Sequence, residues 1–191
     1  MSSNYIHNTQ LPIIDDLFQK KSTLLTQLAG NLSVDSIKED NQFEATVSRI
    51  KSQLKLNPVE FGEPKISNHN QTTIQAPPNF RNPMGGPQQV FIITVDFPFS
   101  GSNELFGVMP SNVMYTSGRV YQPYGNSISI EVTLTQLDKE KALSEARGAM
   151  DATKSLIKAN NKQATDWSNS MELKIDSVLQ QKRKEIIDLY S

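Results

Sequence analysis

From Asp138 to Ser191 the chain runs 54 residues without a proline, and Gly148 is its only glycine there. Proline and glycine are the residues that most oppose a helix interior, so the segment predicts helix throughout. Leu143, Ala146, Met150, Ile157, Ala164, Trp167, Met171, Ile175, Val178, Ile186 and Leu189 recur along it at helical spacing. A continuous helix of about 50 residues would be roughly 75 Å long, more than a domain of this size is wide. Either Asn160-Asn161 turns the chain back into a hairpin, or one long helix runs on. The lack of a strong breaker favours the single helix. Its first part can cover one face of a sheet. Residues 161–189 then need something further to bury Trp167 and Met171, because tertiary packing supplies most helical stability. The N-terminal helices or a second copy of the chain are the expected partners.

Charge is the second constraint. Residues 58–136 hold only Lys65, Arg81 and Arg119 against Glu60, Glu63, Asp96, Glu104 and Glu131, eight charges in 79 residues. The flanks are far richer, with 6 basic and 6 acidic residues in 1–57 and 10 and 9 in 137–191. Helices solvate charge cheaply along their exposed faces, whereas sheets favour β-branched and aromatic residues. The expected organisation is therefore 1–57 helical, 58–136 β-rich and 137–191 a long helical segment: one compact domain with a helical extension. The fold class is α+β, with N-terminal helices, a central and mainly antiparallel sheet, and a long C-terminal helix or helical hairpin.

Within the first segment, Pro12 suits a helix start, and Ile14, Leu17, Phe18, Leu24, Leu25 and Leu28 form one stripe that Gly30-Asn31 ends. Ser36 and Glu39 predict a capping box for a second helix carrying Phe43, Val47, Ile50 and Leu54, which stops at Asn57-Pro58. In the middle, Ile128, Ile130, Val132 and Leu134 alternate with Ser127, Ser129, Glu131 and Thr133, the signature of a strand with one buried face. The run 89–97 is apolar on both faces up to Asp96 and predicts a central strand covered on both sides. Shorter strands are expected at 59–66, 71–76 and 118–122, with a proline- and glycine-rich loop over 76–89.

Much chemistry is excluded. No cysteine is present, which removes disulfides and thiolate catalysis and suits a reducing compartment. The N-terminus lacks the basic and apolar regions of a secretory signal, and no apolar run approaches membrane-spanning length. A cytoplasmic location is the expectation, with no membrane partner. His7 and His69 are the two histidines, His69 within the polar stretch 67–73 that reads as loop, and neither has neighbours at metal-ligand spacing.

Residues 96–112, "DFPFSGSNELFGVMPSN", look glycine-rich, yet neither a P-loop nor a nucleophile elbow is present. Asp96 and Glu104 are the one carboxylate pair that could suit a metal-dependent hydrolase. Turn residues between Phe99 and Phe106 instead predict a structural corner. Lys182, Arg183 and Lys184 form the only basic cluster. Acidic neighbours dilute it, and interaction with the helix C-terminus accounts for it, so nucleic acid is not an expected partner. No catalytic, cofactor-binding or metal-binding residues are assigned.

Phe80, Met84, Phe99, Phe106, Tyr115, Tyr121 and Tyr124 gather in the charge-poor middle, the composition of an interface core. With Trp167 and Met171 they are the candidate interaction surface, for self-association or a protein partner. The order of the helical N-terminal piece, "DFPFSGSNELFGVMPS", "NSISIEVTL" and "WSNSMELKIDSVLQQKRKEI" resembles an N-terminal module of uncharacterised bacterial multidomain proteins, some of them associated with phage defence. The resemblance covers most of 40–190. It implies a module to which an effector such as a TIR or nuclease domain can be joined, though no such effector lies within these residues. The expected function is a non-catalytic interaction, regulatory or scaffold module. The alternative is a structural subunit of a phage particle or similar assembly.

Overall fold

The computed structural model describes residues 5–78, 84–111 and 118–190. The fold is α+β. Among the described residues six strands are formed: β1 (Tyr5–His7), β2 (Glu60–Phe61), β3 (Lys65–Ala76), β4 (Gly86–Ser100), β5 (Arg119–Tyr121) and β6 (Ser127–Leu134). The α-helices are α1 (Ile14–Gly30), α2 (Asp40–Leu54) and α3 (Lys139–Tyr190). α3 is one helix of 52 residues, so the hairpin at Asn160-Asn161 does not form. The Asp138 carboxylate starts it by accepting the Lys141 amide at 2.9 Å, a side-chain N-cap.

The chain divides into two compact units: 1–10, 59–107 and 115–157 in the first, and 11–58, 108–114 and 158–191 in the second. Near the expected segment boundaries, α2 ends at Leu54 ahead of β2 at Glu60, and α3 begins at Lys139. The units nonetheless cut across those segments, because α3 contributes to both.

In the first unit β4 is the hub and pairs antiparallel with β2, β3 and β6. Over 91–96 it has β3 on one side and β6 on the other, so the central position read from the sequence is correct. Cross-strand partners share a face: Phe97 lies opposite Ile128, Val95 opposite Ile130 and Ile93 opposite Val132, and all six are buried. The opposite face is only half-covered, with Ile92, Thr94, Asp96 and Pro98 of intermediate exposure. Covering is complete on one face and partial on the other, where Val90 is buried. Polar Thr94 and Asp96, placed at alternate positions, carry the reason. α3 brings Ala142, Ala146, Met150, Thr153 and Ile157 to this unit's core, and the Lys154 ammonium lies 5.7 Å from the centre of the Phe97 ring. A smaller sheet pairs β1 with β5, and the Tyr121 amide donates to Thr153 Oγ1 at 3.0 Å, which satisfies a buried polar group.

β4 starts three residues earlier than the sequence suggests, so part of the expected 76–89 loop is strand, with Ala76 opposite Gly86. Gly85 makes the reversal with φ +65°, and a Cβ there would stand 2.7 Å from the Ala76 carbonyl oxygen. The stretch 67–70 is likewise strand where loop was expected. Its residues have low β propensity, but the apolar β4 supplies a template, pairing His69 with Ile93 and Asn70 with Ile92.

In the second unit α1, α2 and the later part of α3 share one core of Leu25, Ala29, Ile37, Phe43, Ile50, Leu54, Met171, Ile175, Leu179 and Ile186. Each such side chain, moved from water, is worth about 1.5–3 kcal/mol. The N-terminal helices are thus the partner that residues 161–189 required. Phe18 stacks on Trp167 with ring centres 5.0 Å apart and planes 5° from parallel. Leu179 is the buried residue where Val178 was expected, with Val178 packed at the margin. The Ser36–Glu39 capping box is not formed. Ser33 instead caps a 3₁₀ turn over Val34–Ser36, and α2 starts after Glu39 without a side-chain cap. Beside this end of α2, Arg183 donates to the Ile37 carbonyl at 2.9 Å and to Asp40 at 2.6 Å, and lies over the Phe43 ring at 4.6 Å.

Arg183→Ala should therefore lower the stability of the second unit by about 1–3 kcal/mol, through a lost charged hydrogen bond and a lost cation–π contact. Lys184→Ala on the exposed face should change it by less than about 0.5 kcal/mol. Urea unfolding followed by Trp167 fluorescence measures both.

Candidate interaction surface

The stretch 96–112 is organised by three phenylalanine rings. Phe61 on β2, Phe99 on β4 and Phe106 on a 3₁₀ turn over Asn103–Gly107 meet with ring centres 6.3, 6.0 and 4.8 Å apart. Aromatic pairs at such spacings and tilts add about 0.5–1.5 kcal/mol each beyond their buried area. The remaining polar groups are held locally. The Gln122 side chain donates to the Phe106 carbonyl at 3.2 Å, and Asn103 donates to the Gly125 carbonyl at 3.2 Å.

The chain then passes into the second unit, where Met109 exchanges backbone hydrogen bonds with Pro12 and Ile14, each of 2.7 Å. The Gln163 amide grips Ser111 as a neighbouring strand would, donating to its carbonyl at 2.9 Å and accepting its amide at 3.0 Å. Asn160, wholly buried on α3, donates to the Val108 carbonyl at 2.9 Å.

Asp96 and Glu104 stand in different surroundings. Asp96 accepts a hydrogen bond of 2.6 Å from Ser129 Oγ and faces Lys65 across the strands, while Glu104 lies exposed on the 3₁₀ turn. Among the described residues no group of three or more His, Asp or Glu side chains is placed to hold a metal. His7 and His69 are exposed on β1 and β3. The cavity beside Trp167 and Ser168 measures ≈ 10 Å³, room for a single water at most.

The basic cluster is divided by its own neighbours. Arg183 is committed to α2, and Lys182 pairs with Glu185 at 3.1 Å. Hydrogen bonds from Lys182 and then Gln181 hold the Glu185 carboxyl below its ordinary range. The helix terminus is thus not the whole account of this cluster, since Arg183 serves the helix packing.

The nine candidate interaction residues separate. Phe99, Phe106, Tyr121 and Met171 are buried in the chain's own core, and Trp167 is half-buried against Phe18. Phe80 and Tyr115 lie outside the described residues. Met84 and Tyr124 are exposed, at 92% and 93%. Tyr124 stands at a tight turn in which its amide donates to Ser127 at 2.9 Å and Gly125 takes φ +61°. Among the described aromatic and methionine members of the charge-poor middle, Phe99, Phe106 and Tyr121 are internal and Met84 and Tyr124 are exposed at turns.

A feature the sequence reading passed over is more extensive. β3 has twelve residues and none of them is buried. Only Lys65, at its start, carries charge, and from Ile66 to Ala76 there is neither charge nor proline. On its paired side Gln71 donates to Gln89 at 3.0 Å, joining the two strands of the hairpin through their side chains.

Comparison with protein-family models, with curated proteins and with solved structures returned no match. No helix among the described residues is long and apolar enough to cross a membrane.

Phe106→Ala should cost about 3–5 kcal/mol by emptying the centre of the ring cluster. Asp96→Ala should cost no more than about 1.5 kcal/mol, the worth of one hydrogen bond. Chemical denaturation separates the two. A large loss for Asp96→Ala with little for Phe106→Ala would overturn the account of this stretch as a structural corner.

Proposed function

We propose that this chain is a non-catalytic interaction module that works by assembling with protein. The observation that supports this most directly is β3, a twelve-residue strand that gives no buried side chain to its own core. A strand of that length on a small sheet normally contributes half its residues to one covered face. Here the hairpin of β3 and β4 extends polar, uncharged surface outward, with exposed Ile74 on β3 and Met84 beyond its end. The rigid turn that displays Tyr124 adds a second exposed anchor of a kind favoured at interfaces.

In the setting implied by the resemblance to bacterial multidomain modules, assembly of the module would gather the effectors joined to it, and the role would be regulatory in phage defence. A structural subunit of a phage particle is the second reading. The same exposed hairpin favours it, since an outward arm reaches a neighbouring subunit. Adjacent effector genes would support the first reading, and capsid or tail genes the second.

Sedimentation of the full chain across the micromolar range should show species larger than the monomer, in mass-action equilibrium with it. A chain that stays monomeric at every concentration, with Tyr124→Ser and Met84→Ser variants identical to it in solubility and behaviour, would remove self-assembly as the mode of action.

A further inference from the structure

We propose that the free edge of β3 pairs antiparallel with the β3 edge of a second copy, joining two sheets into one across a twofold axis. The inference rests on the reading of the chain as an assembling module and names the surface and the partner.

An edge strand presents a row of unpaired amide and carbonyl groups, and proteins commonly protect such edges with lysine, proline, a bulge or short length. β3 does have a bulge, but it falls between Ile66 and Asn68, at one end. Its one lysine is at that end too. From Asn68 to Ala76 nine consecutive residues are paired to β4 without interruption. They carry no charge and no proline. Among the described residues, β4 is the only strand paired with β3. At about 3.4 Å per residue this leaves roughly 30 Å of regular, unprotected edge.

The chemistry of the edge selects the occupant. Binding of a foreign peptide at a sheet edge takes its specificity from pockets that receive alternate side chains. Among the described residues of the strip, Asn68, His69, Asn70, Gln71 and Thr73 stand exposed and polar and Ile74 is the one exposed large apolar side chain, so the strip offers little for apolar recognition of a foreign peptide. A second copy needs no such pocket. Ser, Thr, Asn and Gln both donate and accept hydrogen bonds, so the strip is complementary to itself in either cross-strand position. With no charged residue over these nine positions, twofold pairing brings no like charges opposite one another, which would otherwise weaken it.

The absence of cysteine from the chain makes the test direct. Single cysteines are introduced one at a time from Asn68 to Gln75 and the proteins are oxidised mildly. A control places cysteine at Leu173, an exposed position on α3. In a twofold antiparallel pair only residues near the axis meet their own counterparts. Disulfide-linked dimer should therefore peak sharply at one or two neighbouring positions and be low at Leu173→Cys.

The double variant Asn70→Lys, Thr73→Lys should weaken self-association about tenfold or more by placing charge on the edge where the second strand docks, with the melting temperature of the monomer unchanged. Sedimentation showing assembly, with flat cross-linking along β3 and no effect of the lysines, would overturn the β3 pairing while leaving the assembly reading intact. A monomer throughout, without cross-linking, would overturn both.

Discussion

The apolar stripe of α3 is the constraint on which the fold depends. It runs from Ala142 through Met150 and Ile157 to Met171, Leu179 and Ile186, too long for one small sheet to cover. The stripe is shared instead. Its first part belongs to the unit built on β4, and the rest to the unit built on α1 and α2. Because helical stability comes mainly from such burial, the later turns of α3 hold only while α1 and α2 are in place. The discontinuity of both units in sequence follows from this division.

Side-chain amides carry a comparable responsibility where regular pairing runs out. Among the described residues segment 108–111 joins no sheet beyond an isolated bridge between Ile13 and Met109, yet its backbone groups need partners. Pro12 and Ile14 supply backbone ones to Met109, and Asn160 and Gln163 on α3 supply side-chain ones to Val108 and Ser111. Either α3 residue read alone would pass for ordinary polar helix surface. Asn160, which looked like the natural place for a turn, is a fully buried structural residue instead.

Periodicity made much of the fold legible. The alternation over 127–134, the stripes of the helices and the centrality of β4 were all visible, since each follows from which face must be buried. Three things were not. The side of β4 opposite its buried face could not be assigned from an apolar run, which reads the same whether one face or two are covered. The continuity of β3 was hidden because Ser67, Asn68, His69 and Asn70 have turn-like composition and acquire strand structure only from β4. The burial of several candidate interaction residues was hidden for a related reason: aromatic clustering marks a core and an interface alike, and Phe99 and Phe106 serve the core. Exposed polar strand edges leave almost no trace in hydropathy.

The distance along the chain between the parts of the second unit has a consequence during synthesis. α2 ends at Leu54, whereas the first aromatic contact that α3 offers to α1 is Trp167. At translation rates of about 5–20 residues per second, roughly ten seconds separate their emergence from the ribosome. Throughout that interval Leu25, Phe43, Ile50 and Leu54 have no α3 to pack against, and the sheet of the first unit is completed before the second unit can close. Until then α1 and α2 hold apolar side chains that only the later turns of α3 will cover.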